Sequence, residues 1–136
     1  MNNTVHDNQF IYEYVDHQLG EAHILRITRA DTGYELQETI SINTNTNPTP
    51  TTKEVIITDN KAIKEFFKKI KSMTRFWRRC YVTNTPSNMW YQSNYSWFIK
   101  CEKPKIEASG KDVKPTNFKE VETYICDFFT RMIKQT

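Results

Sequence analysis

Between Lys61 and Arg79 the chain carries eight basic residues and one acidic one, and the chemistry open to such a run is the binding of anions. Lys61, Lys64, Lys68, Lys71 and, if a helix runs that far, Arg75 recur at three- and four-residue spacing, so they share one helical face. Like charges at these spacings repel by a few tenths of a kcal/mol per pair. Glu65 alone offsets them, so the excess is not explained by helix stability. It points to an anionic partner, either an acidic protein surface approached by electrostatic steering or the phosphates of a nucleic acid. The plain alternative is a solvated lysine-rich face.

Arg75-Phe76-Trp77-Arg78-Arg79 adds aromatic rings between arginines, a combination suited to base stacking and to planar phosphate contacts. Trp77 falls four residues after Met73 and seven after Ile70, so core packing is the better reading of that ring. Trp90 and Tyr91 lie among turn residues and are candidates for an exposed interface anchor. The candidate binding set is therefore Lys61, Lys64, Lys68, Lys71, Arg75, Arg78, Arg79, Trp90 and Tyr91.

Catalytic chemistry finds little in this sequence. His6, His17 and His23 belong to no HExxH, HxH or GxSxG pattern, and Gly20, Gly33 and Gly110 are isolated turn residues that build no phosphate-cradling loop. Cys80, Cys101 and Cys126 form no CxxC pair and each lies in an apolar periodic segment. They read as buried reduced thiols, with no disulfide, metal or cofactor expected.

Elements that position these residues follow from periodicity. With 136 residues, 38% hydrophobic and 13% aromatic, one packed domain over 1–136 is expected. Strands are expected over Gln9–Asp16, Glu21–Arg29, Tyr34–Ile42 and Glu54–Thr58, with turns at Gly20 and at Asp31-Thr32-Gly33. Residues 43–53, rich in Thr, Asn and Pro, read as an exposed loop. The stripe Ile63, Phe66, Phe67, Ile70, Met73 predicts a helix from Asn60 to about Met73, capped by Thr58 or Asp59. Two more strands fit Arg79–Thr83 and Tyr95–Cys101, and Pro104–Ser109 extends the sheet at an edge, where proline is tolerated. A terminal helix starts beyond Pro115, with Asn117 and Glu120 spaced as a capping box. The expected fold is α+β: a single antiparallel sheet of about five to six strands, in the order ββββ-α-ββ-α, packed against two amphipathic helices.

Net charge of +3 conceals a segregation. Residues 1–60 carry three basic and nine acidic side chains, whereas residues 80–136 carry eight and six. No apolar run approaches the roughly 20 residues that span a bilayer, and the N-terminus has no signal-peptide core, so a cytoplasmic protein that does not bind membranes is expected.

The pattern Trp97-Phe98-Ile99, Ser109-Gly110 and Pro115-Thr116-Asn117-Phe118 resembles the ending of small uncharacterised bacterial α+β domains, in which a tryptophan strand and a strand ending in Ser-Gly lead into a proline-started helix. The resemblance covers about a quarter of the chain. It implies a fold and carries no activity, cofactor or catalytic residue.

The functional expectation is a small non-enzymatic binding protein, an inhibitor or immunity-type factor of a bacterial or phage conflict system, with a protein partner engaged through the basic helix. Direct nucleic-acid binding is the main alternative. A small-molecule or nucleotide site between sheet and helices is a third.

Overall fold

A computed structural model describes residues 8–42, 50–82 and 94–134. Four strands come first, β1 (Asn8–Asp16), β2 (Glu21–Ala30), β3 (Gly33–Ile42) and β4 (Thr51–Ile57), followed by helix α1 (Asn60–Met73). Then come β5 (Cys80–Val82), β6 (Tyr95–Cys101), β7 (Ile106–Lys111) and helix α2 (Phe118–Lys134). The strands form one sheet in the order β4-β3-β2-β1-β6-β7-β5.

Strand register follows the period-2 pattern. Tyr12 pairs with Leu25 on one side and with Ile99 on the other, and Phe10 lies one pleat along between Ile27 and Cys101. All of these point to one face and are nearly inaccessible. The opposite face carries Ile11, Glu13, Arg26, Phe98 and Lys100, which alternate with them. Both helices lay their buried residues on the first face. Phe66 of α1, fully buried, meets Phe10 edge-on with ring centroids 5.1 Å apart and stacks on Phe128 of α2 at 4.4 Å. A Phe buried to this degree stabilises by about 1.5–3 kcal/mol.

In three respects the sheet differs from the sequence-based expectation. It has seven strands where five to six were expected, and it is mixed, because β5 runs parallel to β7. Second, β7 is not an edge strand but lies between β6 and β5. Pro104 falls in the turn before β7 and costs the ladder no N–H, which leaves both sides of the strand free to pair. Third, β4 begins at Thr51, so Thr51, Thr52 and Lys53 leave the expected loop to pair with Ile40, Thr39 and Glu38; residues 43–49 lie outside the described residues.

The C-terminal half is held by two indoles. Trp97, 3% exposed, donates its N–H to the Val113 carbonyl at 2.8 Å and packs on Phe118 with ring centroids 4.9 Å apart. Gly110 makes room for it, since a Cβ there would overlap the Trp97 indole and approach the Val113 oxygen to 2.6 Å. Trp77, just past α1, stacks on Phe118 at 6.0 Å and donates to Asn117 Oδ1 at 2.7 Å. The Asn117 amide also donates to the Met73 carbonyl at 2.7 Å. Its side chain is thus claimed at both ends by residues about forty positions away, rather than by the capping box that its spacing to Glu120 suggested.

Candidate anion-binding surface

Helix α1 presents the basic residues because of where it starts and which side is apolar. Asp59 takes an extended backbone and accepts from the Lys61 and Ala62 amides at 3.0 and 3.3 Å, which sets the helix phase. Ile63, Phe66 and Ile70 are then buried, and Lys61, Lys64, Lys68, Lys69 and Lys71 all face outward as exposed side chains. The first turn contains no acidic residue, and Lys61 and Lys64 lie near the end of the helix that disfavours cations. Stability alone does not call for them there. Among the described residues no carboxylate lies within 4 Å of these lysines.

Past Met73 the chain turns instead of continuing as helix. Thr74, 6% exposed, closes α1 by donating both its N–H (3.0 Å) and its hydroxyl (2.8 Å) to the Ile70 carbonyl. Trp77 N–H donates to the Thr74 carbonyl at 3.0 Å, and Arg78 N–H to the Tyr81 hydroxyl at 2.7 Å. This turn, and not a longer helix, displays Arg75 and Arg78, both exposed. The structure therefore brings Lys61, Lys64, Lys68, Lys71, Arg75 and Arg78 onto α1 and its exit. Arg79 departs from them, reaching Glu107 Oε1 at 3.5 Å. Glu107 shares the sheet face of Lys100 and Ile11, away from the helices. Trp90 and Tyr91 lie outside the described residues.

Phe76 belongs to the aromatic-arginine run noted in the sequence but not to the candidate binding set. It is 86% exposed, between Arg75 and the half-buried Trp77, with the Arg75 guanidinium carbon 5.4 Å from its ring centroid. The helical period carried past Met73 places Trp77 on the apolar side but puts Phe76 at the flank of the apolar stripe, three residues after Met73. Its exposure follows from the turn that ends α1 there, which periodicity does not contain.

Other titratable groups gather on the helix-covered face near the start of α2. The Tyr12 hydroxyl donates to Glu122 at 2.5 Å, and burial followed by that carboxylate pushes its pKa well above the ordinary tyrosine value. His23 meets Glu38 at 2.9 Å. Cys126, half-buried nearby, has its thiol pushed up to about 11, first by burial and then by Glu122 and Glu38; burial does the same for Cys101. Such thiols carry almost no thiolate near neutrality, so they make poor nucleophiles and poor metal ligands. Cys80 was expected to be buried and is exposed, because β5 turns it to the sheet face that no described helix covers.

The space between sheet and helices is filled by side chains such as Tyr12, Leu25, Phe66 and Ile125, all at most 2% exposed. Two open cavities of about 270 Å3 lie at the rim, one lined by Arg29, Asp31, Tyr34 and Asn60, the other by Tyr14, Asp16, Glu21, His23 and Ile40. No helix among the described residues is long and apolar enough to cross a membrane, and none of their His, Cys, Asp and Glu side chains gather in threes as a metal set. Compared with protein-family models, curated proteins and solved structures, the chain matches none.

Proposed function

We propose that this chain is a non-enzymatic binding protein whose working surface is the basic face of α1 with its exit turn, and whose partner is anionic. The observation that carries this reading is the row Lys61, Lys64, Lys68, Lys71, Arg75 and Arg78, all exposed and without a carboxylate within 4 Å among the described residues. A positive surface left uncompensated in this way raises the rate of encounter with anions and gives salt-dependent affinity. As an inhibitor or immunity-type factor of a bacterial or phage conflict system, the protein would cover the anionic surface on which an opposing system acts.

Retention on immobilised heparin tests the reading. The variant Lys64→Glu, Lys68→Glu, Lys71→Glu is expected to elute at much lower salt than the native chain, whereas Lys100→Glu, Lys111→Glu, on the opposite sheet face, elutes only slightly earlier. Equal losses in the two variants, or a larger loss in the second, would remove the basis for the proposal.

A further inference from the structure

We infer that the anionic partner is a single-stranded nucleic acid, with Phe76 as the platform on which a base stacks; this rests on the anionic-partner reading above. Phe76 is 86% exposed, yet its turn is fixed on both sides. Thr74 is bonded to Ile70, and Trp77 is bonded to Thr74 through its backbone and to Asn117 through its indole. Asn117 in turn holds the Met73 carbonyl. The ring is thus displayed by a braced turn rather than by a frayed end. Arg75 lies against it at 5.4 Å, and Arg78 is exposed two residues on. An exposed aromatic ring with a guanidinium beside it can receive a base on its π-face while the guanidinium pairs a phosphate.

Dimensions and charge favour the same partner. From Lys61 to Lys71 the helix rises about 15 Å, the length of roughly four stacked nucleotides. Some of the carboxylates that would repel a polyanion lie away from this surface: Glu13, Glu35, Glu54 and Glu107 share the sheet face opposite the helices. Glu38 and Glu122 lie on the helix-covered face near the start of α2, and Asp31 lines a rim cavity with Asn60. On α1 itself the carboxylates are the cap Asp59 and Glu65. An acidic protein would satisfy the lysines but offers no regular alternation of anion and flat apolar face. A nucleic-acid strand does. In a duplex the base faces are covered by their neighbours, so a stacking platform selects the unpaired strand.

Fluorescence anisotropy of the full chain with a labelled oligothymidylate of about 15 nucleotides provides the test. The native chain is expected to bind it more tightly than a duplex of equal length, with log affinity falling linearly with log salt. Phe76→Ala is expected to weaken binding about tenfold at fixed salt, with the salt slope and heparin retention unchanged, and Phe76→Trp to restore it. No binding at low salt, equal or better binding of the duplex, or native affinity in Phe76→Ala overturns the inference. So does a Phe76→Ala variant that loses heparin retention in the same proportion, because stacking has no counterpart on heparin. If heparin retention depends on α1 while Phe76→Ala is silent on the oligonucleotide, only the stacking inference fails. If heparin retention does not depend on α1, the anionic-partner reading fails as well.

Discussion

The indole N–H of Trp77 donates to Asn117 Oδ1 at 2.7 Å, joining the exit of α1 to the residue before α2 across forty positions of sequence. The other end of the same amide holds Met73. One side chain thereby ties the exit of the basic helix, which Thr74 closes, to the start of α2.

Replacing Asn117 by Ala should therefore do two things. Leaving the Trp77 N–H and the Met73 carbonyl unpaired in a half-buried setting costs about 1–3 kcal/mol, read as a lower urea midpoint. The loosened turn should also lower heparin retention without removing any charge. Unchanged retention in a destabilised Asn117→Ala variant would show that the brace serves stability alone.

Gly110→Ala tests the packing around the second indole. The new methyl group has to displace the Trp97 indole or the Val113 carbonyl, which are bonded to each other at 2.8 Å. A loss of about 1–3 kcal/mol is expected, accompanied by a shift in tryptophan fluorescence. A variant as stable as the native chain would contradict the described geometry.

Stability should fall in alkali. Burial raises the Cys101 and Cys126 thiols from their ordinary 9.0 to about 11, and the Tyr14 hydroxyl from 10.0 to about 12. Tyr12 is raised by burial and by its bond to Glu122. These folded-state values lie above the unfolded ones, so the unfolded chain sheds protons first as pH rises. The contribution is complete below about pH 9 and is lost progressively from there toward pH 12. Urea midpoints should be level up to about pH 8 and decline above pH 9. Cys126→Ala should soften that decline; a midpoint that stays flat to pH 11 would contradict the burial of these groups.

What the sequence disclosed was local. The stripe from Ile63 to Met73 and the cap at Asp59 delimit α1, because period and capping are decided within a few residues. The alternation of β1 to β3 likewise survives into the sheet. What it hid depends on distant partners. The interior position of β7 and the parallel pairing of β5 are settled by long-range contacts that no window of periodicity contains. Asn117 has the spacing of a cap, but Trp77 and Met73 occupy its amide, so a tertiary bond displaces the local motif. At the candidate surface the lysines were legible from helical spacing. Arg79 was grouped with them only because nothing in the sequence placed Glu107 beside it.

Lysine acetylation of the full chain, with and without saturating heparin and read residue by residue by mass spectrometry, tests the central claim most directly. Bound polyanion should protect Lys61, Lys64, Lys68 and Lys71 while Lys100, Lys103 and Lys111, exposed elsewhere, react as before. Protection centred on the latter three, or spread evenly over all seven, would contradict α1 as the anion-binding surface.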